Sequence, residues 1–280
     1  MMILALMTIC HSDEDIKRGG NFYPFLSFNG VSRPLLFRML VAFSSTNSET
    51  MLKKLSILAA ACLAILFLWD TPILYPLQML VVFFHEASHA IATILTGGQV
   101  KEMVLVREQG GHVVSLGGWP FITLSAGYLG SLGFGVLFYV LSESKRYQKW
   151  MVMGIGFFIL LITLFFVRNW FGFGFSLIAG ILFFVAGRYL ADDWNALILK
   201  AVGLTSMMYV PHDIYSDTIA RSYLVSDARM LAEAYGGTTI MWGVLWLLIS
   251  CYVIFSVFRR SLLRSDSQEG IGDVHGRNGI

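Results

Sequence analysis

The sequence predicts an all-α polytopic membrane protein of about six transmembrane helices, seven if one short stretch is counted, with a small β-hairpin after the motif helix. Composition is the first observation behind this. Of 280 residues, 56% are hydrophobic and 14% charged, where soluble domains average roughly 45–50% apolar and about 25% charged. The second is the recurrence of apolar stretches long enough to cross a bilayer. The third is a segment of alternating character, Val100 to Val114, that interrupts them and reads as a hairpin with Gly110-Gly111 at its turn. A net charge of +2, with no basic patch interleaved with aromatics, argues against nucleic-acid binding. Cys10, Cys62 and Cys251 are scattered, which offers neither a disulfide framework nor a thiolate metal site.

The segments follow in order. Residues 1–50 differ from the rest: a short apolar opening, a charged patch from Asp13 to Arg18, and a polar run from Ser44 to Thr50. Met51-Leu52-Lys53-Lys54 reads as a fresh beginning, so the expectation is either that Met51 is the true start and residues 1–50 are not part of the native protein, or that they form a dispensable extension. A signal peptide is the rival, but Cys10-His11-Ser12 is a poor cleavage site. A membrane-embedded core is expected over residues 51–264. Its spans are Leu55–Trp69, Leu77–Thr96, Phe121–Leu141, Trp150–Val167, Phe173–Leu190 and Thr239–Phe258. Ala196 to Val210 is apolar but short and contains Lys200, as expected of a helix packed in protein rather than facing lipid. With six spans, Lys53, Lys54, Arg259, Arg260 and Arg264 share one side, cytoplasmic by the positive-inside rule, although Lys145, Arg146 and Lys149 then fall opposite. Residues 265–280 are polar and glycine-rich, as in a disordered tail.

The second span carries His85-Glu86-Ala87-Ser88-His89, an HExxH motif. On a helix the two imidazoles lie four residues apart on one face, where they can grip a zinc ion, and the glutamate is free to act as general base. Pro76 favours a helix start near Leu77, and Gly97-Gly98 a stop. Counted from Leu77, His85 lies about 12 Å along the helix and His89 about 18 Å, on either side of a midplane near 15 Å. Chance would produce the motif in on the order of one such chain in a few hundred, and the plain alternative is a pair of core histidines. Burying three polar groups in hydrocarbon without mutual compensation is costly, which favours the metal.

A catalytic zinc site takes three protein ligands and keeps a fourth position for water. Glu102 and Glu108 lie in the hairpin, too near the surface, and Asp192-Asp193 sit at an interface. Within Pro211-His212-Asp213-Ile214-Tyr215-Ser216-Asp217, Pro211 suits the first turn of a helix on which Asp213 and Asp217 share a face. Asp213 is favoured as third ligand, with Asp217 as the alternative, because His212 adds a possible supporting group. Acids near a helix N-terminus are also stabilised without any metal. Asp227 follows Ser226, which reads as the N-cap of a short helix closed by Gly236-Gly237, a structural role. Glu233 on that helix is the outsider.

Together these features resemble the site-2 protease class of intramembrane zinc metalloproteases, in its compact B-like branch. The resemblance covers about residues 70–258. It rests on His85 to Ala90, Thr96-Gly97-Gly98-Gln99-Val100 and the hairpin, Ser125 to Ser131, Asp213 to Ile219, Ser226-Asp227-Ala228 and Trp242-Gly243-Val244. The class has a glycine where Ser88 stands, and its asparagine-proline-aspartate-glycine signature is absent, leaving the Asp213/Asp217 pair to stand in for its aspartate. The likeness implies one Zn2+ per chain on His85, His89 and an acid of the late segment, with Glu86 as catalytic acid/base. The expected activity is hydrolysis of peptide bonds in transmembrane protein substrates by an integral, multi-pass protein of the lipid bilayer, the cell membrane if prokaryotic. The hairpin is expected to hold the unwound substrate as an added strand, and His112 in it to be a surface residue. Three rivals follow: an inactive relative that binds transmembrane clients, a metal carrier, and a surface peptidase using Glu233, which the depth of the histidines opposes.

Overall fold

A computed structural model describes residues 51–144 and 146–276, with side chains as far as Leu262. The expectations about residues 1–50 fall outside that range. Helix α1 covers residues 51–67. It is followed by α2 (Tyr75–Leu95), strands β1 (Gln99–Val106) and β2 (Gly110–Leu116), and helices α3 (Pro120–Ser142), α4 (Gln148–Phe166) and α5 (Trp170–Tyr189). Next come α6 (Asp192–Tyr215), a wider helical turn (Ser216–Ala220), the short α7 (Asp227–Tyr235) and α8 (Thr239–Gly276). The chain divides into two units, one of residues 60–261 and one of the flanking segments.

Among the described residues five helices are long and apolar enough to cross a membrane: α2, α3, α4, α5 and α8 up to Leu262. The protein is an integral, multi-pass, mainly helical membrane protein. The sixth expected span, Leu55–Trp69, is represented by α1, which at 17 residues is about 25 Å long and shorter than the usual spanning helix. The stretch Ala196 to Val210 belongs to α6, where Leu199, Val202, Met207 and Val210 are buried against protein, as its embedded lysine led one to expect. Helix α8 runs on to Gly276.

Helix α2 is central: 78% of its spanning window is buried, against 17% for α8. Pro76 sits in its first turn, where a missing N–H is harmless. The end is set by Thr96, whose hydroxyl donates to the Ala92 carbonyl (2.7 Å), and by Gly97 at φ +85°. Phe84 anchors the core against Phe134, Phe138 and Phe158. Lipid supplies no hydrophobic drive between helices, so close packing of small residues must hold them. A Cβ on Gly203 of α6 would lie 2.7 Å from the Tyr139 nitrogen and 2.8 Å from the Gly135 carbonyl of α3. Gly156 and Gly180 play the same part between α4 and α5.

The hairpin is antiparallel, pairing Gln99 with Leu116 and Val106 with Gly110, with an irregularity between Val100 and Glu102. Its turn is Arg107-Glu108-Gln109, with Gln109 at φ +58°. The expected turn glycines instead open β2, and Gly111 has a different task described below. The outer edge of β1 is closed by the segment after α4. Arg168 N–H donates to the Met103 carbonyl (3.1 Å), while the Asn169 amide accepts from Leu105 N–H (3.2 Å) and donates to the Leu105 carbonyl (2.7 Å). Backbone groups at membrane depth require such internal partners.

Candidate metal centre

His85, Glu86 and His89 lie in the middle of α2, about three to four turns from its N-terminus. Successive positions four apart bring the two rings to 4.8 Å between centroids. The Nδ1 of His89 is 2.7 Å from the Thr123 carbonyl of α3. A carbonyl only accepts, so Nδ1 carries a proton and Nε2 is the nitrogen turned inward. Ser88, in the place of a glycine in the class resembled, donates to the Phe84 carbonyl (2.6 Å) and packs on Gly130.

The acid that meets both rings is Asp227. Its Oδ2 is 3.1 Å from the Nε2 of His85 and 3.1 Å from the Nε2 of His89. Tetrahedral zinc with ligand bonds of roughly 2.0–2.1 Å separates its donors by about 3.3 Å, so the spacing is near what such an ion imposes. These three residues form the group among the described residues that could hold a metal. The sequence expectation had placed Asp213 in that role with Asp217 behind it, and the geometry differs. The Oδ2 of Asp213 is 4.0 Å from the Nδ1 of His85, on the side of the ring away from Asp227. Asp217 is engaged elsewhere: Tyr128 O–H donates to its Oδ2 (2.9 Å) and Arg221 to its Oδ1 (3.0 Å). Pro211, expected to open a helix, lies inside α6 near its end, so Asp213 closes that helix rather than starting one.

The cap reading of Ser226-Asp227 was correct as far as it went. Ser226 Oγ accepts from Arg229 N–H (3.3 Å), and Gly236 ends α7 at φ +85°. Ser226 alone satisfies the cap, which leaves the Asp227 carboxylate free to point inward, 8% exposed. Burying an acid on a nine-residue helix requires a partner, and that burial belongs to the packed structure rather than to the local sequence. Glu233 is paired instead with Arg229 at 3.0 Å on the exposed face of the helix. Asp192 meets Lys149 at 3.6 Å at the surface, and His112 is exposed.

A side chain at Gly127 would displace the donor set. A Cβ there would lie 2.5 Å from His89 Nε2 and 2.7 Å from Asp227 Oδ2, and closer still to His85 Nε2. Glycine therefore keeps open a space bounded by all three donor atoms. Charge points the same way: Glu86, Asp213, Asp217 and Asp227 bring four carboxylates together against the single guanidinium of Arg221. Two imidazoles and a carboxylate are ligands suited to zinc. Glu86 also lies against the hairpin, where a Cβ on Gly111 would meet its Cγ at 2.8 Å and its Oε1 at 2.9 Å. Small residues thus flank the motif on two sides, Gly127 under the donors and Gly111 under the glutamate.

No curated protein and no solved structure matches the chain. Residues 58–257 match the family described as peptidase M50B-like, and they include the motif helix, the hairpin and α7. A match over that much of the sequence, with an HExxH helix at its heart, shows that the chain belongs to the peptidase M50B-like family, within the site-2 protease class.

Proposed function

We propose that this protein is a zinc-dependent intramembrane endopeptidase that hydrolyses peptide bonds of transmembrane substrates, with His85, His89 and Asp227 as metal ligands and Glu86 as acid/base. The observation that carries the reading is the convergence of three donor atoms on the space that Gly127 leaves. Zinc bound there would polarise the scissile carbonyl and the attacking water. Glu86, fixed between its two histidines on α2 and against Gly111, accepts the proton of that water and delivers it to the leaving nitrogen. The Thr123 carbonyl keeps His89 in the tautomer that exposes Nε2. A helical substrate must unwind before its peptide bond can be attacked. With the outer edge of β1 closed by residues 167–169, the second edge of β2 is the one that can receive an extended strand beside Glu86.

Purified protein in detergent is expected to hold about one zinc per chain. Glu86→Gln keeps the metal, because Glu86 is not a ligand, and loses cleavage of a transmembrane substrate by 10²-fold or more, the usual scale of a general base. Undiminished turnover in that variant refutes the assignment of Glu86. A wild-type protein that binds zinc and client but never cuts supports the inactive relative instead, and zinc flux across vesicles supports the carrier.

A further inference from the structure

We propose that Asp213 is a positioning residue for the first imidazole: its carboxylate holds the Nδ1–H of His85, as the Thr123 carbonyl holds that of His89. The inference rests on the ligand reading above and adds to it. A histidine that offers Nε2 to a metal carries its proton on Nδ1, and that N–H normally has an acceptor that fixes the tautomer and the ring plane. His89 has one at 2.7 Å. Facing the Nδ1 of His85 is the Oδ2 of Asp213 at 4.0 Å, whereas Asp227 meets the Nε2 of the same ring.

That gap is about 1 Å longer than a hydrogen bond, and in our proposal it closes when the metal is bound. Among the described residues nothing else holds the Asp213 carboxylate, since its only polar contact is with His85. Its backbone, by contrast, is well placed. Ile214 beside it is fully buried, and His212 packs on Trp69 with centroids 4.9 Å apart. Asp217, one turn later, cannot substitute, because both of its oxygens are engaged by Tyr128 and Arg221. Tyr128 completes the arrangement by setting its ring edge-on to His85 at 5.0 Å. The imidazole thus has an aromatic ring packed against it and a carboxylate facing its outer nitrogen.

The test uses the full-length protein in detergent, with zinc affinity measured by competition against a chromophoric chelator and geometry read from the absorption bands of the cobalt(II)-substituted form. Asp213→Leu is expected to bind one zinc at saturation with affinity reduced 10–100-fold, the usual effect of losing such a partner, and with altered cobalt bands. Asp213→Asn, whose amide oxygen still accepts a hydrogen bond, restores most of the affinity and the wild-type bands. Should Asp213→Leu not fold, Asp213→Ala, too short to reach Nδ1, takes its place. Wild-type affinity and spectrum in the leucine or alanine variant overturns the proposal, as does an asparagine variant no better than leucine. Variants of Asp213 that hold no zinc at any concentration overturn it by making Asp213 a ligand. Absence of zinc from the wild type would instead sink the metal reading itself.

Discussion

Gly127 is where the smallest chemical change reaches the site most directly. A methyl group at that position would stand within 2.7 Å of all three donor atoms, well inside van der Waals contact, in the space a cation needs. Gly127→Ala is therefore expected to reduce zinc from about one per chain to a small fraction, with the helical circular dichroism unchanged. Near-stoichiometric zinc in that variant, measured by atomic emission, would mean the ion sits elsewhere. The histidines and Glu86 could be read from sequence because helical periodicity alone brings positions 85 and 89 to one face. Asp227 could not, because its approach to His85 spans 142 residues and is decided by tertiary packing. An acid after a serine has a sufficient local explanation as a cap, and that explanation hid the longer-range one.

At the scale of elements, the hairpin depends on a side chain outside it. Asn169 makes two hydrogen bonds to the backbone of Leu105 and so serves as a further strand on the β1 edge. Removing them exposes partly buried backbone groups, each worth about 1–3 kcal/mol when left unsatisfied. Asn169→Ala is expected to lower stability by that order and to speed amide hydrogen exchange at Leu105 and along β1, while zinc binding persists. Protection unchanged at Leu105 would show that the edge is closed by something else. The long helices were legible because a spanning helix must be apolar along its whole length. The hairpin was legible from alternation, but its turn was not: glycine pairs favour turns, and here close approach of the Glu86 side chain requires Gly111 within the strand instead. Pro211 misled for a related reason. Proline usually marks a helix start, yet packing of α6 carries the helix through it to Tyr215.

Across the whole molecule, the site is assembled from helices that touch through glycine. α2 supplies the histidines, α3 supplies Gly127 and the Thr123 carbonyl, α6 supplies Asp213, and α7 supplies Asp227. The α3–α6 contact at Gly203 is backbone against backbone, so a Cβ there has no flexible neighbour to push aside. Gly203→Ala must separate the helices and is expected to lower stability by about 1–3 kcal/mol, the usual penalty for overpacking. The expected zinc affinity falls with it, because α3 and α6 flank His85 and His89. Gly154 supplies the contrast, for a Cβ there meets nothing within 4 Å. Gly154→Ala removes a helix-weakening glycine at no steric cost, with an expected gain of up to about 1 kcal/mol and unchanged zinc affinity. Thermal unfolding in detergent, followed alongside zinc release, compares the pair directly. Equal transition temperatures for the two variants would mean that close approach of α3 and α6 does not hold the metal centre together.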